Sequence, residues 1–161
     1  MPQTRWLTDD EQLTWRAFLE ATRRLEEQLD RELQQDAGIP LAYYTILAML
    51  SEAPERTLRM SELAQRTWSS RSRLSHAVDR LEDKGWITRR SCPSDKRGSF
   101  AQLTNAGLMA LEAAAPGHVA GVRRHMFDQL TPSQVDALGV ISQTVAQRLA
   151  ESAANCPTEP A

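Results

Sequence analysis

The chain has 161 residues, 41% of them hydrophobic and 25% charged, with 7 Gly, 8 Pro and few aromatics. Those values describe one globular domain of helical leaning, large enough for a core without staples, and exclude a disordered or collagen-like chain. The formal net charge is -2, which taken alone argues against an anionic partner.

Several classes fall away. Residues 1–15 carry charges early and hold no apolar run of signal-peptide length, and no run approaches the ~18 apolar residues of a membrane span. Cys92 and Cys156 are far apart and fit neither a disulfide framework nor zinc spacing. His76, His118 and His125 complete no metal motif, and no phosphate-binding glycine loop or nucleophile elbow occurs. The expectation is a cytoplasmic binding protein, not an enzyme, with no cofactor, no metal and no membrane association.

The elements follow in chain order. Thr8 to Glu11 reads as a capping box, with Asp9 and Asp10 at the positive end of the dipole. Trp15, Phe18, Leu19, Thr22, Leu25, Leu29 and Leu33 then form a helical stripe that stops at Gly38-Ile39-Pro40. Such a helix approaches 30 residues, which implies packing beyond its own domain. A second helix starts at Pro40, with Tyr43, Ile46, Leu47 and Leu50 facing inward, and ends at Ala53-Pro54. Leu58-Arg59-Met60 reads as a short strand and residues 61–67 as a short helix. Ser69 or Ser70 caps a fourth helix, with Leu74, Ala77, Val78 and Leu81 inward and Gly85 closing it. The period then changes to that of a hairpin: strand 86–91, turn residues 92–98 and return strand 99–104. A fifth helix opens at Thr104 or Asn105 and carries one apolar stripe across Pro116-Gly117. A sixth opens at the box Thr131-Pro132-Ser133-Gln134, with the chain fraying from Ser152.

Charge is distributed unevenly along these elements. Residues 1–55 hold 5 basic and 11 acidic side chains, residues 56–97 hold 11 and 5, and residues 98–161 hold 3 and 5. The central basic island coincides with helix, tight turn, helix and hairpin, which is a helix-turn-helix with a wing. Arg and Lys in such an island displace the counterions condensed on a phosphate backbone. In a helix-turn-helix the second helix enters the major groove. Stepping 100° per residue from an inward Leu74 turns Ser72, His76 and Asp79 outward, with Arg73, Ser75 and Arg80 on the flanks. Arg can reach guanine edges and hydroxyls can reach bases or phosphate. The candidate DNA-binding residues are therefore Ser70, Arg71, Ser72, Arg73, Ser75, His76, Arg80, Arg89, Arg90, Lys96 and Arg97. Asp95 near the wing tip is read as orienting a guanidinium, on Arg97 or on the helix. The alternatives are a winged-helix protein-interaction module without DNA binding, whose face would expose apolar residues, and an enzyme, which no nucleophile–base pair supports.

The runs Ser61-Glu62-Leu63-Ala64, Val78-Asp79-Arg80-Leu81-Glu82-Asp83-Lys84-Gly85-Trp86-Ile87, and Asp95-Lys96-Arg97-Gly98 leading to Leu103-Thr104 and Ala106-Gly107 resemble the MarR-type winged-helix transcriptional regulators. The resemblance spans Asp9 to Leu149. It implies a mainly α fold: a single domain with dimerisation helices at 9–37 and 105–151 and a winged helix-turn-helix at 40–104. Within the latter lie a recognition helix at about 70–84 and a β-hairpin wing at about 86–104. It further implies a homodimer on a pseudo-palindromic stretch of double-stranded DNA, acting as a repressor. By the same resemblance Arg97 enters the minor groove, Asp95 braces the wing, and a small-molecule effector of unidentified kind releases the DNA. Trp15, Leu19, Tyr43, Tyr44 and His118 are the candidate effector pocket, each also readable as ordinary core. Cys92, beside Arg89 and Arg90, is read as a structural or incidental thiol, with a redox thiol as the alternative, since it lacks a resolving partner and the family's thiol sensors carry theirs on the first helix.

Overall fold

A computed structural model describes residues 4–92 and 95–154, with side chains described for all of these except 92, 95–98, 153 and 154. The chain divides into two units, residues 1–121 and 122–161.

The first unit opens with α1, Asp9–Ala37. Its capping box is formed in both directions. Glu11 N–H donates to Thr8 Oγ1 at 3.2 Å, and Thr8 N–H donates to Glu11 Oε2 at 2.8 Å. Of its apolar stripe only Leu29 and Leu33 are buried; Leu13, Trp15, Phe18 and Leu19 stay exposed on the protomer. Helix α2 spans Leu41–Ser51 behind a Pro40 N-cap, which offers no side-chain acceptor. The acceptor comes from α1 instead, where Asp30 Oδ1 takes the Leu41 N–H at 2.8 Å.

Strand β1 (Thr57–Arg59) leads straight into α3 (Met60–Arg66), and a tight turn into α4 (Arg71–Asp83). Strands β2 (Ile87–Cys92) and β3 (Asp95–Leu103) follow. The sheet is antiparallel in the order β1-β3-β2, with Leu58 opposite Ala101 and Ile87 opposite Leu103. Leu47, Leu50, Leu63, Leu74, Val78, Leu81, Ile87 and Ala101 form the centre of the core beneath it. The fold is thus mainly α, a winged helix-turn-helix.

Two boundaries are corrected, and the expected hairpin gains a strand. The hairpin arms are longer than the turn-forming residue types suggested, because cross-strand pairing continues past Ser91 through a register shift, and Cys92 lies opposite Asp95. Turn propensity at 95–98 yields there to the ladder. The β-hairpin expected as the wing is present, and β1 extends it along β3 into a three-stranded sheet. The short strand ends at Arg59, so Met60 opens α3.

Helix α5, Asn105–His125, runs unbroken through Pro116, as its single apolar stripe required. It is joined to the wing by a close backbone approach. Thr104 Oγ1 donates to Gly85 O at 2.8 Å and accepts from Gly107 N–H at 3.0 Å, while Thr104 N–H donates to Trp86 O. A Cβ on Gly107 would stand 2.2 Å from Trp86 O. In the second unit Thr131 and Gln134 form the box expected at the start of α6 (Pro132–Ala154). This helix exposes Val140, Ile141, Val145 and Leu149.

The clash at Gly107 is with backbone, which cannot swing aside as a side chain can. Gly107→Ala should cost about 1–3 kcal/mol of stability. At roughly 2–4 °C per kcal/mol for a chain of this size, thermal unfolding followed by circular dichroism should show a drop of several degrees.

Candidate nucleic-acid interface

Helix α4 owes its start to Ser70, whose Oγ accepts the Arg73 N–H at 3.3 Å, leaving one less amide unsatisfied at the N-terminus. Leu74, Val78 and Leu81 are essentially inaccessible. Their burial turns Arg71, Ser72, Arg73, His76, Asp79 and Arg80 to the surface and leaves Ser75 half-buried. The exposed face of α4 carries no apolar side chain. Arg71, Arg73 and Arg80 on α4 and Arg90 on β2 enter no ion pair among the described residues. Their charge faces solvent, available to an anion.

Arg89 behaves differently. Its sequence neighbourhood assigned it to DNA, yet its side chain is only 28% exposed and lies against α4. Its guanidinium contacts Asp79 Oδ1 at 2.7 Å and donates to Ser75 O at 2.8 Å. Its backbone N–H donates to Glu82 Oε1 at 3.0 Å, and its Nε stands 3.8 Å from Glu82 Oε2. The cause is geometric. Residue 89 alternates with Ile87 on the face of β2 that meets α4, and the two acids on that side of the helix supply its counter-charge. Arg89 therefore fastens β2 to α4 and pairs with Asp79, an acid on the basic face of that helix. No local signal announces this, because the partners are ten and seven residues apart on different elements. Two ring contacts add to the scaffold: Arg59 over Phe100 at 5.3 Å and Lys84 over Trp86 at 4.9 Å.

The side chains of Cys92, Asp95, Lys96 and Arg97 lie outside the described residues. The bracing role read for Asp95, the groove role read for Lys96 and Arg97 and the readings of Cys92 therefore remain sequence expectations.

The five residues read as an effector pocket are spread over α1, α2 and α5, with Tyr43 and Tyr44 both packed against the cluster of Leu33, Ile39 and Ala114. Tyr44 and His118 meet, with ring centroids 4.4 Å apart and planes tilted by 45°. Tyr43 also lines a surface groove between α2 and α4, with Arg73, His76 and Arg80. Trp15 and Leu19 sit on the exposed first half of α1, where Trp15 stacks on Phe18. His118 also borders a cleft formed with Leu29, Glu32, Leu33, Asp36 and Gly117. Its Nδ1 is buried without a hydrogen-bond partner, and burial lowers its pKa below the usual 6.5. Burial also raises the Tyr44 phenol above 10.0. Among the described residues no three His, Cys, Asp or Glu side chains gather to hold a metal, and no helix is long and apolar enough to cross a membrane.

A helix-turn-helix with a bare basic helix face and a sheet wing fastened to it defines a winged-helix protein. The profile of the MarR family matches residues 37–98. Sco3205, a MarR family transcriptional regulator from Streptomyces coelicolor crystallised in complex with DNA, is 54% identical. It covers 92% of this chain and 93% of its own, with a TM-score of 0.86. AbsC, a MarR family transcriptional regulator from the same organism, is 44% identical over 92% of this chain and 99% of its own, with a TM-score of 0.83. The HTH-type transcriptional regulator YpoP of Bacillus subtilis (strain 168) is 30% identical over 110 residues, 68% of this chain and 72% of that protein. The chain belongs to the MarR family of transcriptional regulators. It is a regulator and not an enzyme.

The half-buried His118 imidazole generates a pH dependence. Because the folded pKa of His118 is depressed, the unfolded chain binds the proton first as pH falls. Its contribution to stability is complete above about pH 6.5 and is lost as pH drops from there through the folded value. Thermal unfolding between pH 7.5 and 5.5 should fall more steeply for the parent than for His118→Gln.

Proposed function

We propose that this protein is a DNA-binding repressor that acts in the cytoplasm as a homodimer on a pseudo-palindromic operator. The observation that carries the reading is the unpaired basic face of α4, where Arg71, Arg73 and Arg80 surround small hydroxyls and His76 on a helix whose other face is locked in the core. Such a helix can enter a major groove without losing internal contacts, with Arg73 and the hydroxyls meeting base edges. Arg90, and Lys96 and Arg97 on the β2–β3 arm, serve the flanking backbone and minor groove. The DNA complex of Sco3205, 54% identical to this chain, supports the reading. A protein-docking module would need apolar residues on the α4 face, and that face has none.

Dimerisation is supported by exposed apolar side chains on each unit: Leu13, Trp15, Phe18 and Leu19 on α1, and Val140, Ile141, Val145 and Leu149 on α6. A monomer that left these in water would aggregate, whereas a second copy of the chain buries them. Twofold symmetry then sets the half-sites about one helical turn, roughly 34–36 Å, apart. An aromatic, acidic or oxidising small molecule is the signal the family resemblance implies, with the Tyr44–His118 contact as a candidate sensor of an aromatic or acidic one.

The test is a titration of duplex from the promoter region upstream of the protein's own gene, read by fluorescence anisotropy at several salt concentrations. Binding should be saturable, one dimer per site, and steeply salt-dependent. Arg73→Ala should relax sequence preference at one base pair per half-site. Arg97→Ala should weaken binding to all duplexes and flatten the salt slope by about one per protomer. If both variants bind like the parent, the groove assignments fail. A monomer in sedimentation equilibrium would sink the dimer.

A further inference from the structure

Three helices of the first unit end in a hydrogen-bonded turn with a left-handed pivot, the turns after α3 and α4 having the same bond pattern, and one of the three breaks the residue rule. After α1, Ile39 N–H reaches Leu33 O across Gly38, which has φ 66°. After α4, Gly85 N–H donates to Glu82 O and Trp86 N–H to Leu81 O, with Gly85 at φ 71°. After α3, Trp68 N–H donates to Gln65 O at 3.2 Å and Ser69 N–H to Ala64 O at 3.0 Å, with Trp68 at φ 52°. The pivot of this motif is left-handed and is normally glycine, because a Cβ is strained there. Two of the three turns comply. The third carries the largest side chain of the twenty.

Packing does not explain the choice. Trp68 is 93% exposed, and the core reaches this segment through Leu63 and Ala64 instead. The strain of a bulky left-handed residue is thus left without a compensating contact inside the protomer, a combination that occurs where a side chain is wanted at a functional surface. The location says which surface. Trp68 is the pivot of the helix-turn-helix, two residues before the Ser70 N-cap and three before Arg71. The N-terminal end of the second helix is the end that meets base edges, so the residue at the turn meets the strand bordering that groove.

We propose that Trp68 is a DNA-contacting residue that seats its indole against the deoxyribose–phosphate backbone beside the major groove. The ring face offers apolar area to a sugar, and the Nε1–H is a donor for a phosphate oxygen. A neutral, rigid ring suits this position. It adds contact at little entropy cost and does not compete with Arg71 and Arg73 for counter-charge. The occupant is argued from continuity with the bare basic face of α4, and the inference rests on α4 being the groove helix.

The decisive variant is Trp68→Gly, which removes the indole and supplies the residue the backbone prefers. It should fold and unfold thermally about 1–4 °C above the parent. It should bind the promoter duplex roughly five- to tenfold more weakly, the scale of one aromatic contact. A scrambled duplex should lose affinity by the same factor, since a backbone contact is blind to sequence. The salt slope should not change, because a neutral ring releases no counterion. Trp68→Ala should show the same loss of affinity without the gain in melting temperature. The change in tryptophan emission on saturation with duplex should shrink in both variants. Parent-like affinity or an unchanged emission response in Trp68→Gly overturns the proposal, and a loss confined to the promoter duplex overturns the backbone assignment. If Arg73→Ala also binds like the parent, the groove assignment of α4 is what has failed. If Arg73→Ala binds abnormally and Trp68→Gly does not, the fault is with Trp68 alone.

Discussion

The burial of one face of α4 governs the rest of this molecule. Leu74, Val78 and Leu81 are sealed against Leu47, Leu50, Leu63 and Ile87 in a single core. Side chains on a helix project at about 100° steps, so fixing those three dictates that Arg71, Arg73, His76 and Arg80 face away. Function needs no further folding decision on this helix. Any slip of α4 along its groove would bury an arginine and expose a leucine, and both changes are costly.

Electrostatics then refines what packing has set. The basic island of residues 56–97 is not spent uniformly. Arg66 pairs with Glu62 along α3, and Arg89 is consumed by Asp79, Glu82 and the Ser75 carbonyl. The pairing of Arg89 is worth more as orientation than as stability, since its partners are about half exposed and such pairs are weak in water. It ties the arm carrying Arg90 to the helix carrying Arg73. It also offsets the charge of Asp79, one of the outward acids of α4. At the base of the arm the approach of Gly107 to Trp86 O couples the wing to α5 through backbone alone.

Much of this was legible in advance because its causes are local. The Thr8–Glu11 and Thr131–Gln134 boxes, the Ser70 cap and the breaks at Gly38 and Gly85 each depend on residues within one or two turns of chain. The stripe Leu74, Val78 and Leu81 is equally local. The inward turn of Arg89, the addition of β1 beside β3 and the Asp30 cap on α2 were not legible, because each joins residues from different elements. The extension of the wing arms past Ser91 was hidden for the opposite reason. Local turn propensity pointed one way and cross-strand pairing the other. Trp68 is not marked by its sequence context, because an aromatic in an amphipathic sequence is usually core. Only its exposure and its left-handed backbone separate it from that majority.

The sequence by itself determined the helix inventory, the concentration of positive charge in the middle third and the helix-turn-helix with its wing. Hydrophobic period, caps and residue type are properties of neighbouring residues and survive without a fold. Tertiary structure alone decided which arginines remain free, which turn holds an exposed tryptophan in strain, and which of the candidate sensing residues meet. Those outcomes depend on distances between segments far apart in the chain, and such distances exist only once the core has closed and set one element against another.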